Sequence, residues 1–139
     1  MTKVSQASGN STTIDNPREH KQIAKQFLEL VAAGKIDESY GKHVSETGKH
    51  HNPFFLNGFP ALREAMKENQ VHFPNKQLTI KNVIGEGVMV AIHSYIVPRP
   101  GESGIAAIHQ FRFLGDKIFK LWDIDQPVPT DSPNRDGMF

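Results

Sequence analysis

Cysteine is absent from the 139 residues, which excludes disulfides, thiolate catalysis and cysteine-held zinc. Net charge is nearly absent too. Lys and Arg number 16 against 15 Asp and Glu, leaving +1, with no clustered basic surplus of the kind nucleic-acid binding needs. Long apolar runs are missing. A stretch such as Val88-Met89-Val90-Ala91-Ile92 falls far short of the ~20 residues of a membrane-spanning helix. The opening MTKVSQASGNSTT lacks the apolar centre of a signal peptide. A soluble cytoplasmic protein, with neither nucleic acid nor membrane as partner, is the default expectation. Motifs for nucleophilic and phosphate chemistry are lacking as well: neither G-x-S-x-G nor G-x-G-x-x-G occurs. With no H-E-x-x-H or similar spacing, no metal is expected.

What is present suits one α+β domain. The length is close to the usual ~150 residues, and nine Phe in a chain that is 37% apolar supply material for a core. Residues 1–14, rich in Ser, Thr, Gly and Asn, read as an arm preceding a domain over 15–139. Asp15 or Asn16 can cap a helix whose first turn holds Pro17, and Ile23, Phe27, Leu30 and Val31 continue it as an apolar stripe to a stop at Gly34. A shorter helix is predicted over 36–44, despite Gly41 in its interior. Residues 45–58 read as irregular or strand-like, and a third helix is predicted over 60–71, ahead of Pro74. From residue 76 the apolar period changes to two, giving strands to about 84 and over 88–97, 105–114 and 117–126, with turns at Gly85-Glu86-Gly87 and Leu114-Gly115-Asp116. Helices followed by an antiparallel meander imply helices packed on one face of a curved sheet. The other face, also apolar in the last two strands, should close a cavity or a partner interface.

Seven histidines stand out beside the absent cysteines. His20, His43 and His72 fall on predicted helices and read as solvated. His50 and His51 precede Asn52-Pro53, but adjacent strand residues face opposite ways, so they do not read as a metal pair. His93, His109 and Asp123 sit in mid-strand among apolar residues. Burying such groups unpaired costs about 1–3 kcal/mol each, so they need partners or a use. A lone buried histidine is more often a satisfied core residue than a catalyst, and the pairing decides. A three-residue loop between Phe113 and Lys117 sets His109 opposite Leu121, Phe111 opposite Phe119 and Ala107 opposite Asp123. His109 and Asp123 are then diagonal neighbours on one face, ~7–8 Å apart. A two-residue loop would put them on opposite faces. The longer loop is favoured because it gathers the polar pair into one site. Acid/base chemistry on a small apolar carbonyl compound or epoxide is then the chemistry left open.

His51-Asn52-Pro53, Gly58, the strand VMVAIHS, the block FRFLGDKIFKLWDIDQPVP and the ending NRDGMF resemble the SnoaL-like polyketide cyclase family of the nuclear transport factor 2-like superfamily, over about residues 17–139. The resemblance implies a cone-shaped α+β barrel, three N-terminal helices on a strongly curved antiparallel sheet enclosing an apolar pocket, and dimerisation through the sheet. It implies proton transfer without metal or organic cofactor, as in aldol-type ring closure. Asp123 matches the family's acid/base aspartate, His51 its histidine before Asn-Pro, and His93 its mid-strand histidine. The family pattern usually reads Glu-His-Trp-Asp where this chain has Lys120-Leu121-Trp122-Asp123, and Asp in place of His109. On this reading Asp123 is the general base, with His93 and His109 polarising or protonating the substrate oxygen. His51 and Asn52 shape the pocket mouth, and Tyr40, Phe55, Phe111 and Trp122 complete the wall. A non-catalytic ligand-binding or dimeric assembly module on the same shell is the alternative.

Overall fold

The structure, a computed structural model, describes residues 16–139. The expected arm and the Asp15 cap lie outside those residues. Asn16 caps helix α1 (Pro17–Ala32), its side chain accepting the Glu19 N–H at 3.2 Å. The helix closes with Gly34 N–H on Val31 O (3.0 Å) and Lys35 N–H on Leu30 O (2.9 Å). These paired end bonds put Gly34 at φ 83, a left-handed position that glycine takes without a Cβ penalty. Helix α2 (Ile36–His43) follows, then strand β1 (Val44–His50) and helix α3 (Phe59–His72). Strands β2 (Gln77–Glu86), β3 (Met89–Val97), β4 (Ile105–Leu114) and β5 (Lys117–Pro127) form the expected meander.

The sheet order is β1-β5-β4-β3-β2. β1 is the one strand the sequence left undefined, and it pairs parallel to β5, Val44 beside Ile118 and His50 beside Leu121. The sheet therefore has five strands and two free edges and does not close into a barrel. The first hairpin turn also moves: Glu86 pairs with Met89, so Gly87-Val88 forms the turn and Gly85 stays in β2.

Alternation fixes the faces. Val90, Ile92 and Ser94 of β3, Ala107, Phe111 and Phe113 of β4, and Ile118 and Leu121 of β5 are buried on the helix side. Phe27 of α1 meets Phe111 edge-on at 6.0 Å, and Phe59 of α3 meets Tyr40 at 6.4 Å. On the opposite, outer face Ile108, Ile124 and Leu114 are exposed.

Two histidines expected in solvent are core residues. His20 is fully buried, stacked on Phe113 at 4.3 Å with Nε2 2.9 Å from Gly115 O. His43 is buried with Nε2 2.6 Å from Gln26 Oε1. His20 continues the stripe of Ala24, Phe27 and Val31, and His43 that of Ile36 and Tyr40, a spacing that places each toward the sheet.

Candidate functional site

The β4–β5 turn is the two-residue one, Leu114 pairing with Lys117 and Phe113 with Ile118. Taken alone, it would separate His109 from Asp123. A bulge then adds one residue to β5: beyond Phe113–Ile118 the next pair is Arg112–Lys120, and the shifted register sets Phe111 opposite Leu121 and His109 opposite Asp123. An inserted residue reverses the side-chain phase of the strand that carries it. The expected shared face is therefore correct, while the loop length and the Leu121 partner are not. His109 and Asp123 are direct neighbours rather than diagonal ones, with Cβ atoms ~4.5–5.5 Å apart at such a pair.

Asp123 is held from the loop that follows β1. His50 closes the helix side of that strand, where its Nδ1 accepts the Asn52 N–H at 3.2 Å. The ring proton is thereby left on Nε2, which donates to Leu56 O at 2.6 Å. Between these bonds the loop folds so that Asn52 Oδ1 accepts the Phe54 N–H (2.9 Å) and Asn52 Nδ2 donates to Asp123 Oδ2 (2.8 Å). The first of these bonds orients the Asn52 amide, so the group facing Asp123 is a donor. One carboxylate oxygen is occupied; the other, Oδ1, is buried without a hydrogen-bond partner among the described residues, as are His109 Nδ1 and Ser94 Oγ. Unpaired buried polar atoms are rare in folded proteins and call for an explanation.

His109 lines a half-open apolar cavity of about 330 Å³ between α1, α3 and strands β2–β4. Leu28, Val31, Met66, Leu78 and Ile105 form much of its wall. Burial pushes the His109 imidazole below its ordinary 6.5, against the opposing pull of Asp123 and Asp125. The ring is accordingly neutral at neutral pH, with one nitrogen a donor and the other an acceptor. Tyr40 is buried near the same carboxylate. Burial first, and the charge of Asp123 second, push its hydroxyl well above the ordinary tyrosine value.

The other expected site residues fall elsewhere. His93 lies between buried Ile92 and Ser94, so it faces outward, paired with Ile108 and stacked on Phe139 at 5.3 Å. It shares no face with His109. His51 and Trp122 stack on each other at 5.1 Å on the outer side. Phe111 is core, fully buried, and Phe55 is a surface loop residue, 36% exposed. The expected site thus contracts to Asp123, His109, Asn52 and Tyr40. His50 was missed as the residue that sets Asn52: the reading gave the pocket to His51, and the structure buries His50 instead. Among the described residues no three His, Asp or Glu side chains are grouped to hold a metal ion, and no helix is long and apolar enough to cross a membrane.

No protein-family model matches the chain, and no curated protein matches it by sequence. Solved structures do match. A SnoaL-like protein of unknown function from Burkholderia thailandensis superposes with a TM-score of 0.67 at 16% identity, over 80% of this chain and 99% of that one. AclR from Streptomyces galilaeus, provisionally assigned as a hydroxylase, gives 0.68 at 18% identity over 81% of each chain. A provisionally assigned ketosteroid isomerase from Kribbella flavida gives 0.68 at 14% identity over 87% of each. At these identities the likeness is one of fold. The chain has the α+β fold that the NTF2-like, SnoaL-like and polyketide-cyclase structures share.

Proposed function

We propose that the cavity binds a small apolar carbonyl compound and that the His109–Asp123 pair moves a proton on it. The observation that carries this reading is the register: a half-buried carboxylate with one oxygen held by Asn52 and the other buried and unpaired, directly across from a neutral imidazole in the cavity wall. Asp123 Oδ1 is the base. It takes a proton from the carbon beside the carbonyl, the electron pair passes to the carbonyl oxygen, and the His109 N–H donates a hydrogen bond to that oxygen as charge develops. The Asn52 amide steadies the carboxylate while the proton moves. Return of the proton to the same or another carbon gives exchange or isomerisation; attack of the enolate carbon on a second carbonyl gives aldol-type closure. The outer sheet face, with exposed Ile108 and Ile124 beside the His51–Trp122 stack, serves as the surface of a homodimer.

The test is α-proton exchange. Apolar cyclic ketones such as 1-tetralone are incubated with the protein in deuterium oxide and followed by proton NMR. Wild type is expected to accelerate loss of the α-proton signal. Asp123→Asn keeps size and hydrogen bonding but removes the base, and should lower the rate by about 10²–10⁴ with an unchanged melting curve. Equal exchange in the two proteins would end the Asp123 assignment. Tight ketone binding without exchange in wild type would favour the non-catalytic module.

A further inference from the structure

Lys76 is the residue of the cavity wall that the proton-transfer chemistry leaves unused. It lines the same cavity as His109, after the end of α3 and just before β2. Its ammonium donates to Asn69 Oδ1 at 2.6 Å and Gln70 Oε1 at 3.2 Å. Both acceptors are neutral amides. An ammonium has three N–H donors, so one is left. Among the described residues no Asp or Glu forms an ion pair with it; the ion pairs found there involve Arg63, Lys67 and Arg99. Burial lowers the Lys76 pKa, with no neighbouring carboxylate to offset it.

A second cation stands close by. The Arg99 guanidinium lies 4.5 Å over the ring of Phe73, which is itself a wall residue. Arg99 has one acidic neighbour, the partly exposed Glu102 at 3.6 Å. The cavity is therefore polarised. Asp123 and Asp125 make the His109 end negative, while Lys76, with Arg99 behind Phe73, makes the other end positive, and apolar residues lie between.

We infer that the cavity takes a compact apolar keto acid, its carboxylate on Lys76 and its carbonyl toward His109. This deepens the reading of the cavity as the substrate site. Charge sets the direction of entry, because a carboxylate at the His109 end would lie in the field of Asp123 and Asp125 and lose Lys76. The volume of about 330 Å³ is at the small end of the ~300–1,000 Å³ common for ligand pockets, which suits one ring and a short acid chain.

The probes are 3-benzoylpropionate, its methyl ester and its primary amide, titrated by NMR into the full-length protein. Wild type is expected to bind the acid about tenfold or more tightly than either neutral analogue, the scale of one charged hydrogen bond. Lys76→Met should erase that preference and leave ester affinity unchanged, and Lys76→Arg should keep it. Equal binding of acid and ester by wild type, survival of the preference in Lys76→Met, or no binding of any of the three would overturn the inference. The proton-transfer reading fails separately. Acid-selective binding without α-deuterium exchange refutes that reading and supports this one; exchange of tetralone without acid selectivity does the reverse.

Discussion

Replacing Gly48 by alanine is the sharpest test of how β1 meets β5. A Cβ built on Gly48 runs into Phe119 O, and stands 2.9 Å from the Phe119 carbonyl carbon and 2.8 Å from Phe59 Cε2. Two of these atoms are backbone, in the residue at the β5 bulge, and Phe59 is fixed in the core at 1% exposure. A rotamer change relieves neither, so the strands must part. Overpacking of this kind costs ~1–3 kcal/mol and sometimes more, and backbone obstruction puts Gly48→Ala near about 3 kcal/mol. For a domain of this size that is a fall of about 10 °C in Tm. Gly41 gives the matched control. It lies inside α2, and a Cβ there meets nothing within 4 Å. Gly41→Ala should therefore stabilise by about 0.5–1 kcal/mol, the cost of glycine in a helix. Thermal melts and urea titrations of the two variants measure opposite signs of the same glycine-to-alanine change. Hydrogen exchange should show the loss in Gly48→Ala concentrated in β1 amides. A Gly48→Ala protein within about 0.5 kcal/mol of wild type, the range of a neutral surface change, would refute the close β1–β5 contact and the bulge geometry that depends on it.

His20→Leu should cost about 2 kcal/mol in urea unfolding, since it removes a buried donor and leaves Gly115 O unpaired; an unchanged midpoint would deny that bond. Burial holds the imidazoles of His43 and His109 below 6.5. The unfolded chain therefore takes up those protons first, and the stability they confer is full above pH 6.5 and lost as pH falls from there toward the folded values. Urea unfolding at about pH 5.5 should show lower stability than at about pH 7.5, with a shallower difference in His109→Asn; a pH-independent midpoint would contradict the burial of these rings. Light scattering should give a dimer mass for wild type and a monomer mass for Ile124→Glu, since Ile124 is 73% exposed on the outer face. A monomeric wild type at micromolar concentration would remove the dimer.

The helices and the four meander strands were legible because their signals are local: a cap and proline at Asn16-Pro17, the stripe through Phe27, and glycine at the hairpins. β1 was not, because Ser45, Glu46, Thr47, Gly48 and Lys49 show no apolar alternation and its partner is a distant parallel strand with no turn to announce it. The His109–Asp123 pairing was legible in outcome and not in cause. Two offsets of one residue, the shorter turn and the bulge before Lys120, cancel in side-chain phase, and nothing in Lys117-Ile118-Phe119-Lys120 marks which residue is extra. His93 was misplaced because both faces of β3 carry apolar residues, so period two alone does not name the inner one. Burial of Ile92 and Ser94 does. His20 and His43 were misread as solvated because polarity was weighed above helix spacing, which sets both on the buried stripes. Lys76 has no sequence signal at all; it matters through the cavity it borders.

The parallel seam between β1 and β5 also orders events in time. Asn52 and Asp123 are 71 residues apart in sequence, and their bond forms only once β5 lies between β4 and β1. During synthesis β1 leaves the ribosome early and waits for a partner that is made last, after the whole meander. Closing so long a loop is a slow step, and until it happens the edges of β4 and β1 stay unpaired and open to association with other chains. The helix-packed β2–β4 layer can assemble before that moment, but the carboxylate, its amide holder and the facing imidazole cannot. Recovery of ligand binding after refolding should accordingly lag behind recovery of helical signal.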